Sequence, residues 1–598
     1  MAFFTQAMWQ MSHGHQFVSL FDKNFFANHS NFIALLVLPI FKIIPHPLTL
    51  VFLKILSFSA AGYLLYVLAK DKLSQGLSII LMILYFFYLP NMYGLLYEFD
   101  FESLSPLFLF LLYLFYTRKR LLPFYLCCLA LISIKENMPL IVAAFGFFAL
   151  FQKGQEKIKW GIIPVLVGGI SFCLLTMVII PRMGGNSSHP YLAHYAAIKA
   201  NSVLDIGARF LTKPIVILNA LLEKQNLRFL LSIFKPLAFL PLLAPSTIFI
   251  VFPIFLQHLL SSTIQEKTIF FYYVLPIAPF LFISMISSLA LLKRKTRKWL
   301  FPLIIFGLIV ICSIDISKHK DKFIPKILGT TAQRSFNQKK WEMVRKIAPN
   351  KSIVATFNFL PALSSIKDLY SFHIFLNPAR YYQSYKLFIK GNIDYALIDF
   401  NDLGLYRRLT VNPKMLSLRI RDLIRKNNWS AIDFAGNVVL FGKTEGPPKK
   451  IVEIFPKFSL GKEDGPSISL DKFSVKISTS FQEQNILFDF NWASTTEKIS
   501  GNYQMLFIVK KEGLPILYQR RLIGYGIYPT SCWEKGDYIK ESYNMILPAL
   551  KSGKYTVEAY IFNPNDLQTL DVNHSVDILN QQHVTLASFS VSNTGKYE

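Results

Sequence analysis

Cysteine is scarce in this chain, which has only five in 598 residues. Four lie within apolar stretches and one stands alone near the end: Cys127, Cys128, Cys173, Cys312 and Cys532. This placement predicts no disulfide framework, because cysteines in apolar stretches behave as small hydrophobic residues. The start of the chain has no charged segment followed by an apolar core, so we predict no signal peptide. P-loop, G-x-S-x-G, H-E-x-x-H and dinucleotide-binding motifs are also missing, which removes support for ATP-driven transport.

Acidic residues are outnumbered by basic ones, 36 against 63, which gives a formal net charge of +27. Such an excess can indicate a nucleic-acid partner. Here many basic residues of the front half cluster beside apolar segments, where the positive-inside rule of membrane proteins expects them. The basic second half is better explained by anionic lipid headgroups or a phosphate-bearing substrate. We therefore predict a membrane lipid partner and no nucleic acid.

Long apolar segments follow one another to about residue 315 and then stop. They predict a transmembrane domain, 48–315, with about ten spans at 48–69, 77–96, 103–117, 121–134, 138–152, 160–181, 228–243, 246–262, 270–292 and 298–315. The earlier segment Asn31–Ile44 is short and contains Pro39 and Lys42. We predict that residues 1–47 form an outer loop in which this segment is a helix on the membrane surface.

Basic clusters fall only in alternate loops of this series. They follow the first, third, fifth and ninth predicted spans, at 70–72, 118–120, 153–159 and 293–298. The intervening loops at 97–103, 134–139 and 261–267 hold few basic residues. The basic loops are therefore predicted to be cytoplasmic, and the segment 182–227 and the whole C-terminal half extracytoplasmic.

Residues beyond 332 have the patterns of ordinary globular domains. Helical and strand-like periods alternate over 332–445, which predicts a small α/β domain. Gly446, Pro447 and Pro448 are typical of a linker. Short alternating strands with turn residues between them then predict a β-sandwich over 465–598.

Charged side chains beside predicted spans are the main functional candidates, because charge near a membrane is energetically costly. Glu98, Asp100 and Glu102 alternate in the loop YEFDFES, and an extended loop would place all three on one face. Three carboxylates there suit a divalent cation or a general base, whereas the alternative is a merely acidic, solvated loop.

Further candidates lie in the other predicted outer segments. Lys135 and Glu136 suit pairing with each other or binding of a substrate phosphate; the alternative is snorkelling at the interface. The histidines of the first loop, His13, His15 and His29, form a weak metal motif but suit a substrate loop. The segment from Pro181 to Arg209 holds several polar and aromatic candidates: Arg182, His189, Tyr191, His194, Tyr195 and Arg209. Its arginines and tyrosines suit phosphate or sugar recognition, and the alternative is an interfacial aromatic belt. His258, at the end of an apolar segment, is more typical of an interfacial residue.

Several ordered motifs resemble an uncharacterised family of prokaryotic predicted membrane proteins. FFTQAMWQMSHGHQF followed by NHSNFIALLVLPIF is similar to that family's F-D-Q-x-x-W-x-x-x-x-G and H-F-S-P patterns. EFDFESLSP resembles its D-F-H motif, IKENMPLI resembles its K-E-D motif, and the C-terminal half resembles the tails of its members. The resemblance covers nearly the whole chain.

That family is similar in layout to the GT-C superfamily of membrane glycosyltransferases. The resemblance implies a GT-C-like helical bundle that transfers a sugar from a polyprenyl-phosphate carrier to a glycan or protein acceptor at the outer face of a prokaryotic cytoplasmic membrane. It implies Asp100, Glu102 or Glu98 as base or acceptor guide, and Asp100 and Glu102 as candidate ligands of a divalent metal, which some members use. Lys135, with Arg182, would stabilise the leaving phosphate.

Departures from the family pattern keep other functions open. The family has a span before the W-x-x-x-x-G motif, with an Asp near its outer end; its absence here predicts a misassigned start or a truncated chain. F-D-Q is replaced by Phe4-Thr5-Gln6, and the D-F-H and K-E-D motifs end in Glu102 and Asn137. A non-catalytic scaffold therefore remains an alternative. A transporter or lipid-carrier flippase is another, although its charges belong at mid-membrane and we find no internal repeat.

Overall fold

The structure, a computed structural model, describes the chain with gaps. The described residues are 1–20, 23–154, 156–184, 192–320, 332–376, 393–402, 413–443, 450–455, 468–479, 484–494, 499, 501–548, 550–562 and 583–591. Two compact units are present, one of residues 1–18 and 22–324 and one of residues 19–21 and 325–598. The predicted linker at Gly446–Pro448, together with His189 and Tyr191, lies outside the described residues.

The first unit is built from helices. Its α-helices are Ala2–Ser12, Ala34–Ile43, Pro47–Lys70, Gln75–Phe87, Leu89–Leu96, Ser105–Thr117, Leu121–Ile134, Met138–Leu150, Ile163–Leu174, Ile180–Gly184, Val203–Thr212, Pro214–Leu221, Lys224–Phe234, Phe252–Leu260, Ala278–Lys295 and Leu300–Ser317. Strands β1, Phe17–Val18, and β2, Lys23–Asn24, are each two residues long and pair in an antiparallel hairpin. The predicted helical, apolar first half is confirmed.

Among the described residues, three helices are long and apolar enough to cross a membrane: Pro47–Lys70, Ile158–Gly184 and Leu300–Ser317. A fourth candidate is the pair Gln75–Phe87 and Leu89–Leu96, which bends by 50°. Pro90 explains the bend, because proline lacks the N–H that would continue the hydrogen-bond ladder. Shorter apolar helices occupy Ala34–Ile43, Phe101–Thr117, Leu121–Ile134, Met138–Leu150 and Pro245–Leu260.

Several predicted spans differ from the observed helices, and two further cases are 228–243 and 270–292. Over 228–243, the helix Lys224–Phe234 ends before Ala238 and Phe239, which both have positive φ angles of 50° and 56°. Left-handed backbone of this kind cannot continue a right-handed helix. Over 270–292, the helix begins only at Ala278, and proline at the start of that helix explains the late start.

Small residues allow two helices of the first unit to pack closely. A Cβ added at Gly168 would lie 2.5 Å from the carbonyl oxygen of Pro139 and 2.6 Å from the nitrogen of Ala143. A Cβ added at Gly146 would likewise lie 2.6 Å from the carbonyl oxygen of Gly161. Close backbone approach through small residues is typical of helix pairs in membranes.

The basic and acidic loops meet opposite ends of the helix Ser105–Thr117. After its last residue, Arg118 donates a hydrogen bond of 2.9 Å to Asp71, so the first two basic loops lie together. Before its first residue, Glu102 binds Lys135, which joins two of the basic-poor loops. The loops predicted to share a membrane side thus lie together, while the membrane side itself remains a prediction.

The second unit is rich in β-strands, as predicted for the C-terminal half. Its strands are β3 Ile353–Ala355, β4 Leu369–Ser371, β5 Tyr395–Asp399, β6 Ser430–Ala435, β7 Val438–Gly442, β8 Val452–Phe455, β9 Ile468–Thr479, β10 Gln484–Ser494, β11 Gln504–Lys511, β12 Leu514–Leu522, β13 Tyr538–Ile546, β14 Gly553–Phe562 and β15 His583–Val591. Its α-helices are Ala332–Arg345, Phe372–Leu376 and Pro413–Lys426. The helix Pro413–Lys426 is followed by the antiparallel hairpin of β6 and β7.

Three sheets divide these strands. One has the order β4-β3-β5-β7-β6, in which β3 runs parallel to β4 and β5 and the other neighbours are antiparallel. The other two, β8-β13-β10-β9 and β12-β11-β14-β15, are antiparallel. These two face each other, since the rings of Phe488 on β10 and Phe507 on β11 stack with centroids 5.5 Å apart.

Candidate functional site

Glu102 and Lys135 form a buried ion pair in the helical unit. Nζ of Lys135 donates a hydrogen bond of 2.6 Å to Oε2 of Glu102, whose side chain has no exposed surface. Nζ also lies 5.5 Å and 5.4 Å from the ring centres of Tyr272 and Tyr273. Lys135 follows the last residue of the helix Leu121–Ile134, where a cation interacts favourably with the helix dipole.

Asp100 organises the turn that carries Glu102. Its side chain accepts a hydrogen bond of 2.8 Å from the backbone N–H of Glu102 and caps the short helix Phe101–Leu104. Glu98, by contrast, is 66% exposed and pairs with the amino group of Met1. The loop is not extended throughout, because the turn capped by Asp100 begins at Phe101, so the condition for placing all three carboxylates on one face is not met.

Glu136 pairs with a histidine of the first loop rather than with Lys135. Nδ1 of His29 lies 2.8 Å from Oε1 of Glu136, and the backbone N–H of Ser30 donates to Oε2 at 3.3 Å. Adjacent residues of the chain, Lys135 and Glu136, thus take different partners.

Glu266 holds two histidines, and sequence reasoning missed it. Nδ1 of His194 lies 2.7 Å from Oε1, and Nδ1 of His258 lies 3.4 Å from Oε2. Burial raises the pKa of Glu266, but the two histidine hydrogen bonds outweigh burial and hold the pKa well below its ordinary value. The available signal was an acid within SSTIQEK, a predicted outer loop with few basic residues.

Lys135 and two glutamate–histidine pairs line one cavity of about 340 Å³. Its polar lining includes His29, Lys135, Glu136, His194, Tyr195 and Glu266. Its apolar lining includes Leu140, Phe172, Ile206, Phe210, Pro253 and Leu256. Mostly apolar walls with a few convergent polar groups are typical of ligand sites.

The cavity gathers some predicted site residues and leaves others outside its wall. Lys135, Glu136, His29 and Tyr195 line it, whereas Asp100 and Glu102 do not. Burial raises the pKa of Tyr195, and the nearby Glu266 and Glu136 carboxylates raise it further.

Three other predicted residues are exposed and do not line the cavity. Nδ1 of His13 lies 2.8 Å from the backbone oxygen of Trp9, and the two rings are tilted by 35° with centroids 4.2 Å apart. His15 lies two residues further along the same loop. Arg182 is at the end of the helix Ile180–Gly184.

Lys54 is a second residue that sequence reasoning missed. It lies within the apolar helix Pro47–Lys70, is buried, and donates a hydrogen bond of 2.6 Å to the backbone oxygen of Tyr97. A lysine inside an apolar segment of membrane-spanning length is itself a signal for a functional or structural role.

The predicted carboxylates do not fit a divalent metal ion. Among the described residues, no group of three histidine, cysteine or acidic side chains is arranged to hold one. Glu102 is already bound by the Lys135 ammonium, and Asp100 accepts a backbone N–H. A lysine cation next to the carboxylate disfavours a second cation there.

Comparison with known proteins supports the resemblance in its coarser form. No curated protein matches the chain. The model of a family described as "Predicted membrane protein (DUF2079)" matches residues 1–440, which is more than half of the chain. The chain therefore belongs to this family of predicted membrane proteins.

Proposed function

We propose that this protein transfers a sugar from a polyprenyl-phosphate carrier to an acceptor at the outer face of a prokaryotic cytoplasmic membrane. Its β-rich unit would be extracytoplasmic, as the alternation of basic loops predicts. The proposal draws on the resemblance to GT-C glycosyltransferases and on the chemistry of the cavity.

The observation that carries the proposal is a buried lysine at a cavity with mostly apolar walls. Lys135 contributes a positive charge to the cavity wall, held in place by Glu102 at 2.6 Å. A phosphate group attached to a hydrocarbon chain needs both features, a fixed cation and apolar walls.

One wall of the cavity has an apolar outer face. The helix Val203–Thr212 contributes Ile206 and Phe210 to the cavity, while its Leu204 and Leu211 are 68% and 88% exposed. Large apolar side chains exposed along a helix are typical of a surface in contact with lipid. A cavity that lies next to lipid would let a polyprenyl chain remain in the membrane while its phosphate reaches Lys135.

The proposed reaction is an inverting displacement. The acceptor hydroxyl gives its proton to a basic side chain while its oxygen forms a bond to the anomeric carbon of the sugar, and the bond between that carbon and the phosphate oxygen breaks. The electron pair of the broken bond stays on the polyprenyl phosphate, where Lys135 stabilises the negative charge that develops.

The test compares two buried lysines in the full chain. Lys135 and Lys267 are both paired with a glutamate, at 2.6 Å and 2.7 Å, but only Lys135 lines the cavity described above. The purified protein would receive glucosyl or mannosyl undecaprenyl phosphate with bacterial membrane extract as acceptor, and released undecaprenyl phosphate would be measured. Lys135→Met should lose release and Lys267→Met should keep it. No release by the wild-type protein from either donor would overturn the proposal.

A transporter remains the second candidate because of one feature. The bent pair Gln75–Phe87 and Leu89–Leu96 is a discontinuous helix, and such helices form substrate sites in many transporters. This pair contributes no residue to the lining of the cavity, however. Movement of glycosyl undecaprenyl phosphate from one leaflet of a vesicle to the other, without sugar transfer, would favour the transporter.

A further inference from the structure

Two glutamate–histidine pairs flank the cavity. One joins Glu136 to His29 at 2.8 Å and the other joins Glu266 to His194 at 2.7 Å. All four residues line the cavity, together with Lys135. A carboxylate that binds one ring nitrogen of a histidine fixes the orientation of the ring and stabilises its protonated form, as in hydrolytic triads.

The pair at Glu266 is the more strongly anchored of the two. Glu266 lies between His194 and His258, and Nε2 of His258 lies 3.3 Å from the backbone oxygen of Tyr273. His258 is almost fully buried, whereas the His194 side chain is 29% exposed. The buried histidine therefore anchors the carboxylate, and the more exposed histidine lines the cavity.

His29 is less accessible to a substrate. Its side chain is 12% exposed, and its partner Glu136 also accepts the backbone N–H of Ser30. This pair connects the first loop to Glu136, the residue after Lys135. We therefore assign it a structural role.

The predicted base Glu102 is a poorer proton acceptor for the reaction. Its side chain is fully buried behind Lys135, which it holds by a hydrogen bond. Proton transfer requires hydrogen-bond contact with the acceptor hydroxyl, directly or through one water molecule.

We propose that His194 takes the proton of the acceptor hydroxyl and that Glu266 is the residue that positions it. This assignment rests on the proposed function. With Nδ1 bound to Glu266, the proton moves to Nε2 of His194 as the acceptor oxygen bonds to the anomeric carbon. Lys135 meanwhile stabilises the departing phosphate, so proton removal and charge stabilisation come from different residues of one cavity.

The experiment separates donor binding from transfer in the full-length protein. His194→Asn keeps a side-chain amide near the position of Nδ1 and removes Nε2, and Glu266→Gln and Glu266→Asp change the positioning carboxylate. Undecaprenyl phosphate binding is measured by native mass spectrometry, and transfer is measured as release of undecaprenyl phosphate from its glucosyl or mannosyl form. His46→Asn is the matched control, because His46 caps the helix Pro47–Lys70 through its ring and asparagine is also a good cap.

We expect His194→Asn to lower the transfer rate about a hundredfold or more, the usual contribution of a general base. Its binding of undecaprenyl phosphate should not change. Glu266→Gln should also lose transfer without losing binding, and Glu266→Asp should recover part of the rate. His46→Asn should behave like the wild type.

Three results would overturn the assignment in different ways. Wild-type transfer rates in His194→Asn would remove His194 as the base while leaving the proposed function intact. A loss of undecaprenyl phosphate binding in His194→Asn would make His194 a binding residue instead. Absence of transfer by the wild-type protein that still binds undecaprenyl phosphate would overturn the proposed function, and the base assignment with it.

Discussion

Each unit of the molecule contains a buried ion pair, and the two pairs are built differently. In the β-rich unit, Arg521 binds Glu541, and both side chains are completely buried. In the helical unit, Lys135 binds Glu102 beside a cavity. The surroundings of each pair show which one serves the fold and which one suits binding of a ligand.

Glu541 is surrounded by donors. Beside Arg521, it accepts hydrogen bonds of 2.8 Å from Nε1 of Trp492 and from the backbone N–H of Gly524. The guanidinium of Arg521 lies 4.5 Å from the ring centre of Tyr543. A carboxylate with several donors and a stacked arginine stabilises one packing arrangement of the two sheets.

Glu102 is less completely bound. Its Oε2 accepts from Lys135, but its Oε1 is buried and has no hydrogen-bond partner among the described residues. Burial of an unpaired polar atom costs stability, and Nη1 of Arg521 in the other pair is likewise buried without a partner among the described residues. Only the helical pair lies beside the cavity described above, and under the proposed function Lys135 would bind a phosphate as well as Glu102.

The largest expected effect is from breaking the pair in the β-rich unit. Arg521→Met leaves Glu541 as a buried, uncompensated charge, which costs about 3–5 kcal/mol of unfolding free energy. Calorimetric unfolding of the purified protein should show the loss. The matched control is Arg520→Met, since Arg520 is the next residue of the same strand and is exposed. Equal stability of the two variants would show that the buried pair does not stabilise this unit.

Breaking the helical pair should cost less stability. Glu102→Gln leaves Lys135 without its carboxylate, but water in the cavity can solvate the ammonium, so we expect a loss of about 1–3 kcal/mol. Undecaprenyl phosphate binding should weaken as well, because the lysine is no longer held in position. Thermal unfolding and native mass spectrometry check both effects, with the exposed Glu156→Gln as control. A loss as large as that of Arg521→Met would contradict the contrast between the pairs.

Helix packing in the first unit depends on small residues, whereas the sheets of the second pack through aromatic rings. Gly168→Ala should therefore destabilise the helical unit by about 1–2 kcal/mol, since overpacking against backbone outweighs the gain in helix propensity. The adjacent Gly169 has no heavy atom within 4 Å of an added Cβ, so Gly169→Ala should be neutral or stabilising. Melting temperatures of the two variants give the comparison, and a stable Gly168→Ala variant would show that the helices can separate without cost.

The smallest effect concerns acid stability. Because the pKa of Glu266 is lowered in the folded protein, its contribution is fully present above about pH 4.3, the ordinary glutamate pKa. It is lost as the pH falls below that value towards the folded-state pKa. The melting temperature of the wild type should therefore fall more between pH 5 and pH 3 than that of Glu266→Gln, by about a few degrees. Equal losses would show that the two histidines do not stabilise the carboxylate.

Much of the fold could be predicted from local patterns. The apolar segments predicted at 48–69 and 160–181 correspond to the helices Pro47–Lys70 and Ile158–Gly184. The break within 228–243 was missed, because mean hydropathy does not register the left-handed backbone at Ala238 and Phe239. Hydrophobicity selects the segments, while prolines and local backbone geometry decide where a helix can continue.

The site was only partly predictable. Sequence reasoning selected Lys135, Glu136, His29 and Tyr195, all of which line the cavity, but it missed Glu266. It also left open a pairing of Lys135 with Glu136, whereas each of the two takes a partner from a distant segment. Side chains at the ends of different helices meet through packing, which spacing along one loop does not reveal.

The sequence by itself determined the apolar helical half, the alternation of basic loops and the β-rich second half. These follow from local periodicity and charge, which act on each segment separately. Tertiary structure alone decided the partner of each buried charge. Lys135 meets Glu102 across 33 positions, His194 meets Glu266 across 72, and His29 meets Glu136 across 107. A buried charge needs a partner at hydrogen-bond distance, and only the packing of distant segments determines which group is there.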